Sequence, residues 1–577
     1  MKGAMDTRRR HVLSRPIVGA LVATVIALSL PVDVGRGAAA PAIVLTGTAF
    51  PAGFGLGVAA DPIGLQQALW TPLVGFDNTL RPYAALAASV PTPANGGARV
   101  VGAGLRVTVR LKHGLRFSDG SPLTARDILF GWRINLAPAL GNSFGNDEIS
   151  GIATPDRYTV VITFADLYGA YLAYALPPAL PRAYFERKYH ATTIAALASA
   201  YAHDPYNSPD DVFSRPYKIA QVAPGQRVTL TPNPYFTALP PAHAGGKTLP
   251  RPELRYIVLS SDESTLAQDL HSAKAGVDLA VGLGPAALPL LGRLQGLRAR
   301  VTPSLAVEHL ELNQATPALR DLRVREALRD AIDKRALVRA ILPASLDPDR
   351  RVATSLIPSS SSYHDANLPV SPANPARARA LLRAAGYATS LGGAGVHLTL
   401  TLVTTNDPTR QREADLLARD LADVGVRVVP RLVSASPSDR GGLYAPYSRG
   451  GALATRDFDL ALFDLRLGPD PATMASLFDP ARIPDPISHG ALRRNYTGIN
   501  VDALAMLPET AQASLDPASR KVGYAKVQIE VNTLLPYIVL YEPARITVDD
   551  GRVVNLTPAP QDGGTFWNVW EWAARTL

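Results

Sequence analysis

The 577-residue chain has no cysteine. That excludes disulfides, thiolate metal sites, iron–sulfur clusters, a cysteine nucleophile and a lipid anchor on an N-terminal cysteine. Its ten histidines show no i,i+3 or i,i+4 clustering, so no metal site is expected. No Lys/Arg cluster interleaved with aromatics occurs, which argues against nucleic-acid binding. No H-E-x-x-H is present. "AGGKT" (244–248) resembles a phosphate-binding loop, but Pro241 stands where the loop needs glycine. "GFGLGV" lacks the dinucleotide-binding spacing. No 20–50-residue period recurs, so neither a solenoid nor a propeller is expected. Beyond the N-terminus no run approaches 18 apolar residues, too short for a spanning helix.

What is present is globular composition: 47% apolar and 19% charged residues, in a chain long enough to bury large cores without covalent staples. The N-terminus reads as a secretory signal: basic "MKGAMDTRRRHVLSRP", apolar "IVGALVATVIALSLPV", then small-residue "DVGRGAAAPA". Cleavage is expected near Ala38–Ala40, which places the mature chain in the periplasm without a lipid anchor. Of the 58 Lys/Arg and 49 Asp/Glu, six and two lie in the first 40 residues, so the mature chain carries a formal +5. Spread over its length, that is a solvated basic surface.

Short alternating runs and helical stretches follow one another, the pattern of α/β layers. Leu105, Val107, Val109 and Leu111 alternate with polar residues. Ser118-Asp119-Gly120 makes a turn and Thr124 an N-cap. Trp70 reads as core. Val324, Ala327, Leu328, Ala331 and Ile332 form the buried stripe of a helix whose charges should face solvent, and Asp333 should cap the next helix.

Several phrases, in order, resemble one family. They are "VRLKHGLRFSDGSPLTARDILFGW" (109–132), "RPYKIAQVAPGQRVTLTPNPYF" (215–236), "HLELNQATPALRDLRVREALRDAIDKRALV" (309–338), "NPARARALLRAAGY" (374–387), "RDFDLALFDLRLGPDP" (456–471), "NYTGINVDAL" (495–504) and "LLPYIVLYEP" (534–543). The chain resembles, from about residue 65 to 575, the family 5 extracytoplasmic solute-binding proteins, the peptide and nickel receptors of ABC importers.

The resemblance implies an α/β, two-lobed periplasmic-binding-protein fold of type II, cluster C-like. Two crossing strands, "AVEHLELNQ" and "LLPYIVLYEP", would act as hinge. The expected division is signal peptide 1–40, lobe I 41–305 with an inserted subdomain at about 72–180, lobe II 306–540, and a return to lobe I over 541–577. It further implies a monomer that makes and breaks no bonds and holds no cofactor, and that hands a peptide or peptide-like solute to a membrane permease–ATPase complex. A sensor or chaperone module, or a hydrolase on the same scaffold, is the alternative. Expected ligand contacts are Gly57, Val58 and Ala59 in one lobe, and Tyr363, His364, Asp464, Leu465, Arg466, Leu467, Gly468 and Asp470 in the other. Asp470 also reads as a helix N-cap and Arg466 as an ion-paired arginine.

In peptide-binding members an aspartate three residues before the "DP" pair holds the peptide's amino group. Here that position is Leu467. An ammonium in a closed cleft needs a carboxylate. A simple unblocked dipeptide is therefore expected to bind poorly, and tight binding in calorimetry overturns that expectation.

Overall fold

The computed structural model describes residues 42–575 except 57–60, 62, 141–143, 237–249, 261–264, 267, 269, 271–275, 292–295 and 486–492. The segment expected to be a signal peptide, residues 1–40, thus lies outside the described residues. None of the helices among them is long and apolar enough to cross a membrane.

The first large sheet has seven strands in the spatial order Arg298–Pro303, Ala544–Asp549, Leu279–Leu283, Ala42–Thr46, Glu253–Ile257, Arg227–Pro232 and Tyr217–Ala223. It is parallel where Ala42–Thr46 meets its two neighbours and antiparallel elsewhere. The second has five strands, ordered Val426–Val433, Leu398–Thr405, Leu460–Arg466, Ala306–Leu312 and Tyr537–Tyr541. A third, four-stranded sheet orders Ala98–Val101, Gly104–Arg110, Thr159–Phe164 and Ile149–Ala153. There the alternation of Leu105, Val107 and Val109 buries one face in a core shared with Ile128 and Ile134 of the helix Ala125–Asn135. Thr124 starts that helix, its N–H donating to Asp127 Oδ2 at 2.8 Å.

The second sheet is covered on both faces at its centre, where residues 460–465 and Tyr537–Tyr541 are buried almost throughout, whereas residues 398–401 alternate leucine with threonine and the edge strand Val426–Val433 is largely exposed. Leu310, Leu312, Leu402 and Leu460 pack into one core with Val324, Leu328, Leu337 and Leu417 from the helices. Val307, Leu465 and Val539 pack into another with Tyr524, Val527 and Val531. Every residue of Ala306–Leu312 is buried, Glu308, His309 and Glu311 included.

The chain passes between the two large sheets twice, each time across two residues. Arg298–Pro303 gives way to Ala306–Leu312 through Ser304 and Leu305, and Tyr537–Tyr541 to Ala544–Asp549 through Glu542 and Pro543. The passages are tied together, Ser304 Oγ donating to Pro543 O at 2.5 Å.

The helix Leu322–Ala331 buries the expected stripe, and Asp333 caps Lys334–Ile341 by accepting from Ala336 N at 3.0 Å. Its charges do not all face solvent, however. Arg325 is buried, and its guanidinium donates to the carbonyls of Leu319, Arg320 and Leu534. It thereby satisfies carbonyls at two helix C-termini that have no partner within their own helices. Asp330 is buried between Arg329 and Arg377. Sequence periodicity assigns charges to the solvent face because it cannot see acceptors brought in from distant segments. Trp70 lies in the core as expected, packed against Tyr206 and Phe213.

Asn313, just past the first crossing strand, donates to Arg456 O at 3.0 Å and Phe458 O at 2.8 Å, and its Oδ1 accepts from Ala315 N and Arg456 Nη2. Asn313→Ala leaves those buried groups without partners. It should lower stability by about 3 kcal/mol, read from denaturant unfolding.

Candidate functional site

Along the paired crossings lies a cleft of about 480 Å³. Gly282–Pro285, Ala544 and Arg545 line it from the first sheet. Ser304, Ala306, Tyr541 and Pro543 form its floor, and Glu308, Thr405, Arg410, Glu413, Asp464 and Arg466 line it from the second sheet and its helix.

The helix Pro408–Ala422 sets the charged wall. Asp407 caps it, accepting from Thr409 N at 2.9 Å and Arg410 N at 3.1 Å, with Pro408 at the first position where no N–H is needed. Arg410 and Glu413, one turn apart, then meet the strand ends where Glu308 and Asp464 stand directly opposite each other. Two carboxylates at such a pair repel. Arg410 lies between them, with Nε 3.1 Å from Glu308 Oε1 and Nη2 2.5 Å from Asp464 Oδ1. Asp464 Oδ2 accepts from Arg466 Nε at 2.5 Å.

These contacts sort the three carboxyls. Burial alone would raise the pKa of Asp464, but the charges of Arg466 and Arg410 overcome it and bring it down to about 2. Burial raises Glu308 above the ordinary range against the pull of Arg410. Glu413 is fully enclosed: Tyr541 Oη donates to its Oε1 at 2.6 Å, and Oε2 has no partner. Burial, with the charge of Glu308 beside it, holds its pKa well above the usual value and so favours the neutral acid.

At the cleft mouth the Asp562 carboxylate pairs with Arg545, and Arg466 Nη1 lies 3.7 Å from the same oxygen.

A second set of contacts joins the Gly169–Tyr174 segment, which follows the third sheet, to helices packed on the second sheet. Arg520 and Asp470 form a bidentate pair at 2.6 and 2.9 Å. Arg520 also donates to Tyr363 Oη at 2.7 Å and to Gly169 O at 3.2 Å. Gly169 N donates to Gln512 O at 2.7 Å, and Tyr174 Oη to Asp470 O. The approach needs glycine: a Cβ on Gly169 would lie 2.1 Å from Ser514 O, and one on Gly468 2.2 Å from Tyr174 Oη.

The residues marked from sequence therefore fall in three places. Asp464 and Arg466 line the cleft. Gly468, Asp470 and Tyr363 belong to the clasp around Arg520, where Asp470 also caps the turn Pro471–Met474. Leu465 and Leu467 point into the core, and Leu467 N donates to Leu305 O at 2.8 Å. His364 fastens its own loop, Nδ1–H donating to Ile357 O at 2.7 Å. Gly57, Val58 and Ala59 lie outside the described residues. Glu308, Arg410, Glu413, Tyr541 and Arg545 were not anticipated. Glu308 carried one signal, an ionisable side chain with His309 and Glu311 in a strand whose other residues are apolar. Arg410 and Glu413 carried none, because a charged first turn is ordinary on a solvated helix.

The pentapeptide Gly141-Asn142-Ser143-Phe144-Gly145 has the spacing of a nucleophile elbow. An elbow joins a strand to a helix, whereas this one comes after the helix Ala125–Asn135 and before the strand Ile149–Ala153, and residues 141–143 lie outside the described set. Among the described residues no group of three His, Asp or Glu side chains is placed to hold a metal ion.

Residues 81–485 match the family described as bacterial extracellular solute-binding proteins, family 5. A putative ABC transporter peptide-binding protein of Brucella ovis is 24% identical over 475 residues, 81% of this chain and 82% of the relative. The periplasmic EDTA-binding protein EppA superposes with a TM-score of 0.75 at 18% identity, covering 93% of this chain and 98% of its own. The oligopeptide-binding protein AppA of Bacillus subtilis, solved with a nonapeptide, gives 0.70 at 19% identity, covering 93% and 99%. The fold is the expected α/β two-lobed solute-binding fold.

Glu413 supplies a test of the cleft's electrostatics. Its folded pKa is raised, so its favourable contribution is complete below the unfolded value of 4.5 and is lost as pH rises toward the folded value. Glu413→Gln keeps the acceptor for Tyr541 and cannot ionise. Wild type should lose about 1.4 kcal/mol against E413Q per pH unit within that window, read as diverging melting temperatures above pH 4.5.

Proposed function

The chain belongs to the bacterial extracellular solute-binding proteins of family 5 and is an ABC-transporter substrate-binding protein. On that premise we propose that it is exported to the periplasm by the signal peptide over residues 1–40. There it captures a peptide or peptide-like solute by closure of two lobes, as a monomer, and delivers it to the membrane permease. The lobes are residues 41–305 and 306–540, with the chain returning to the first over 541–577 and the subdomain inserted at about 72–180.

The observation that carries this reading is the position of the cleft. It is lined from both large sheets and runs along two crossings of two residues each, tied at Ser304 and Pro543. Paired short crossings concentrate backbone rotation at one line, the geometry of a hinge. A solute that touches both walls favours the closed arrangement by its differential affinity, with no chemistry needed. Micromolar binding makes about 8 kcal/mol available, part of which offsets the cost of closing. The clasp of Arg520, Asp470, Gly169 and Tyr174 adds contacts that closure makes and opening breaks.

The experiment is a thermal-shift screen of the mature chain against peptides, blocked peptides, opines, sugars and metal chelates, followed by small-angle scattering with each hit. A binding solute raises the melting temperature by mass action and should reduce the radius of gyration. Hits that bind without compaction overturn the closure reading. Gly169→Ala, at a residue that does not line the cleft, should weaken binding about tenfold by opposing the clasp, equivalent to roughly 1.4 kcal/mol, and should raise the radius of gyration of the ligand-loaded protein.

A further inference from the structure

The cleft mouth holds a charge arrangement whose parts come from opposite walls. Arg466 ends the strand Leu460–Arg466 of the second sheet, and Arg545 lies in Ala544–Asp549 of the first. Both line the cleft, and both address the same oxygen of Asp562. The Asp562 backbone is anchored on the first-sheet side: Gln67 Nε2 donates to its carbonyl at 2.7 Å, and neighbouring Gln561 Nε2 to Phe76 O at 3.0 Å. Its side chain, by contrast, is 61% exposed, so the arginines rather than burial hold its carboxylate there.

The other guanidinium of the cleft is already committed. Arg410 is taken up by Glu308 and Asp464. Arg466 spends its Nε on Asp464, and its Nη1 lies 3.7 Å from Asp562 Oδ1, beyond hydrogen-bond length. Arg545 pairs with that exposed carboxylate only, among the charged groups described. An exposed ion pair contributes little and yields readily. A carboxylate placed to accept from both forks gains charge-assisted, directional bonds from each wall.

We propose that Arg466 and Arg545 form a carboxylate-reading site shared between the two walls of the cleft, and that Asp562 is its built-in competitor. The solute on this reading carries a carboxylate, such as a peptide's free C-terminus, that replaces Asp562 and pulls the walls together. An ammonium at the same place meets two cations, in keeping with Leu467 where an amine anchor would be. The inference rests on the receptor function proposed above and names its ligand class.

The test uses the mature chain and two probes in calorimetry, N-acetyl-trialanine as the free acid and as its C-terminal amide. The acid should bind at least about tenfold tighter than the amide. Arg466→Gln and Arg545→Gln should each weaken the acid about tenfold and leave the amide unchanged. Asp562→Asn should tighten the acid about threefold by removing the competitor. Acid and amide binding alike, or D562N weakening the acid as loss of a simple inter-lobe latch would, overturns the proposal and leaves the receptor reading standing. Should neither probe bind, native mass spectrometry identifies the solute retained by the purified protein. A retained solute with no acidic group overturns the carboxylate site, and one with an acidic group that R466Q and R545Q both release supports it. A chain that retains nothing and compacts with no compound in the screen removes the receptor reading and this inference with it.

Discussion

The two crossings run side by side because the strands flanking them pair, Arg298–Pro303 with Ala544–Asp549 and Ala306–Leu312 with Tyr537–Tyr541, with Ser304 Oγ donating to Pro543 O between them, and the rest of the site depends on that pairing. Two separate crossings would let the sheets twist independently. Held together, they leave one line about which the proposed closure would turn the walls of the cleft. The neighbouring contacts reinforce the line: Leu467 N donates to Leu305 O, and the Glu542 carboxylate accepts from Ser359 N and Ser359 Oγ. The Leu467 side chain is buried in the core beside the crossing, which accounts for a leucine at that position.

Next to this line the protein buries charge where apolar side chains would pack at less cost. Glu308 and Asp464 face each other across an antiparallel pair, and the arrangement holds because Arg410 reaches both. Removing one member of such a network leaves an uncompensated buried charge, a larger loss than the network's net contribution. Burial raises the pKa of Glu413 and so favours its neutral form, which eases the difficulty there. Neutral and charged carboxyls a few ångströms apart give the wall fixed donors and acceptors, the kind of directional lining that selects among solutes.

Much of the fold was legible in the sequence because it rests on local rules. The Leu105–Leu111 alternation, the cap at Thr124 and the stripe from Val324 to Ile332 each follow from side-chain period and backbone hydrogen bonding within a few residues. The ordered phrases shared with a known family supplied the topology, which local rules do not reach. Where the reading failed, the cause was a partner far away in the chain. Arg325 is buried because Leu534, 209 residues on, offers its carbonyl.

By itself the sequence determined the α/β class, the charge-bearing helices and the segment from Asp464 to Asp470 as a place of interest, since periodicity, capping and motif order are properties of neighbouring residues. Only the tertiary structure decided that this segment divides between two sites, with Asp464 and Arg466 in the cleft and Gly468 and Asp470 in the clasp. It also brought Glu308, Arg410 and Arg545, three residues separated by 102 and 135 positions, to one wall or another of the same cleft. The physical reason is that charge compensation acts through space: which carboxylate meets which guanidinium is set by the pairing of strands and crossings, and no spacing along the chain encodes it.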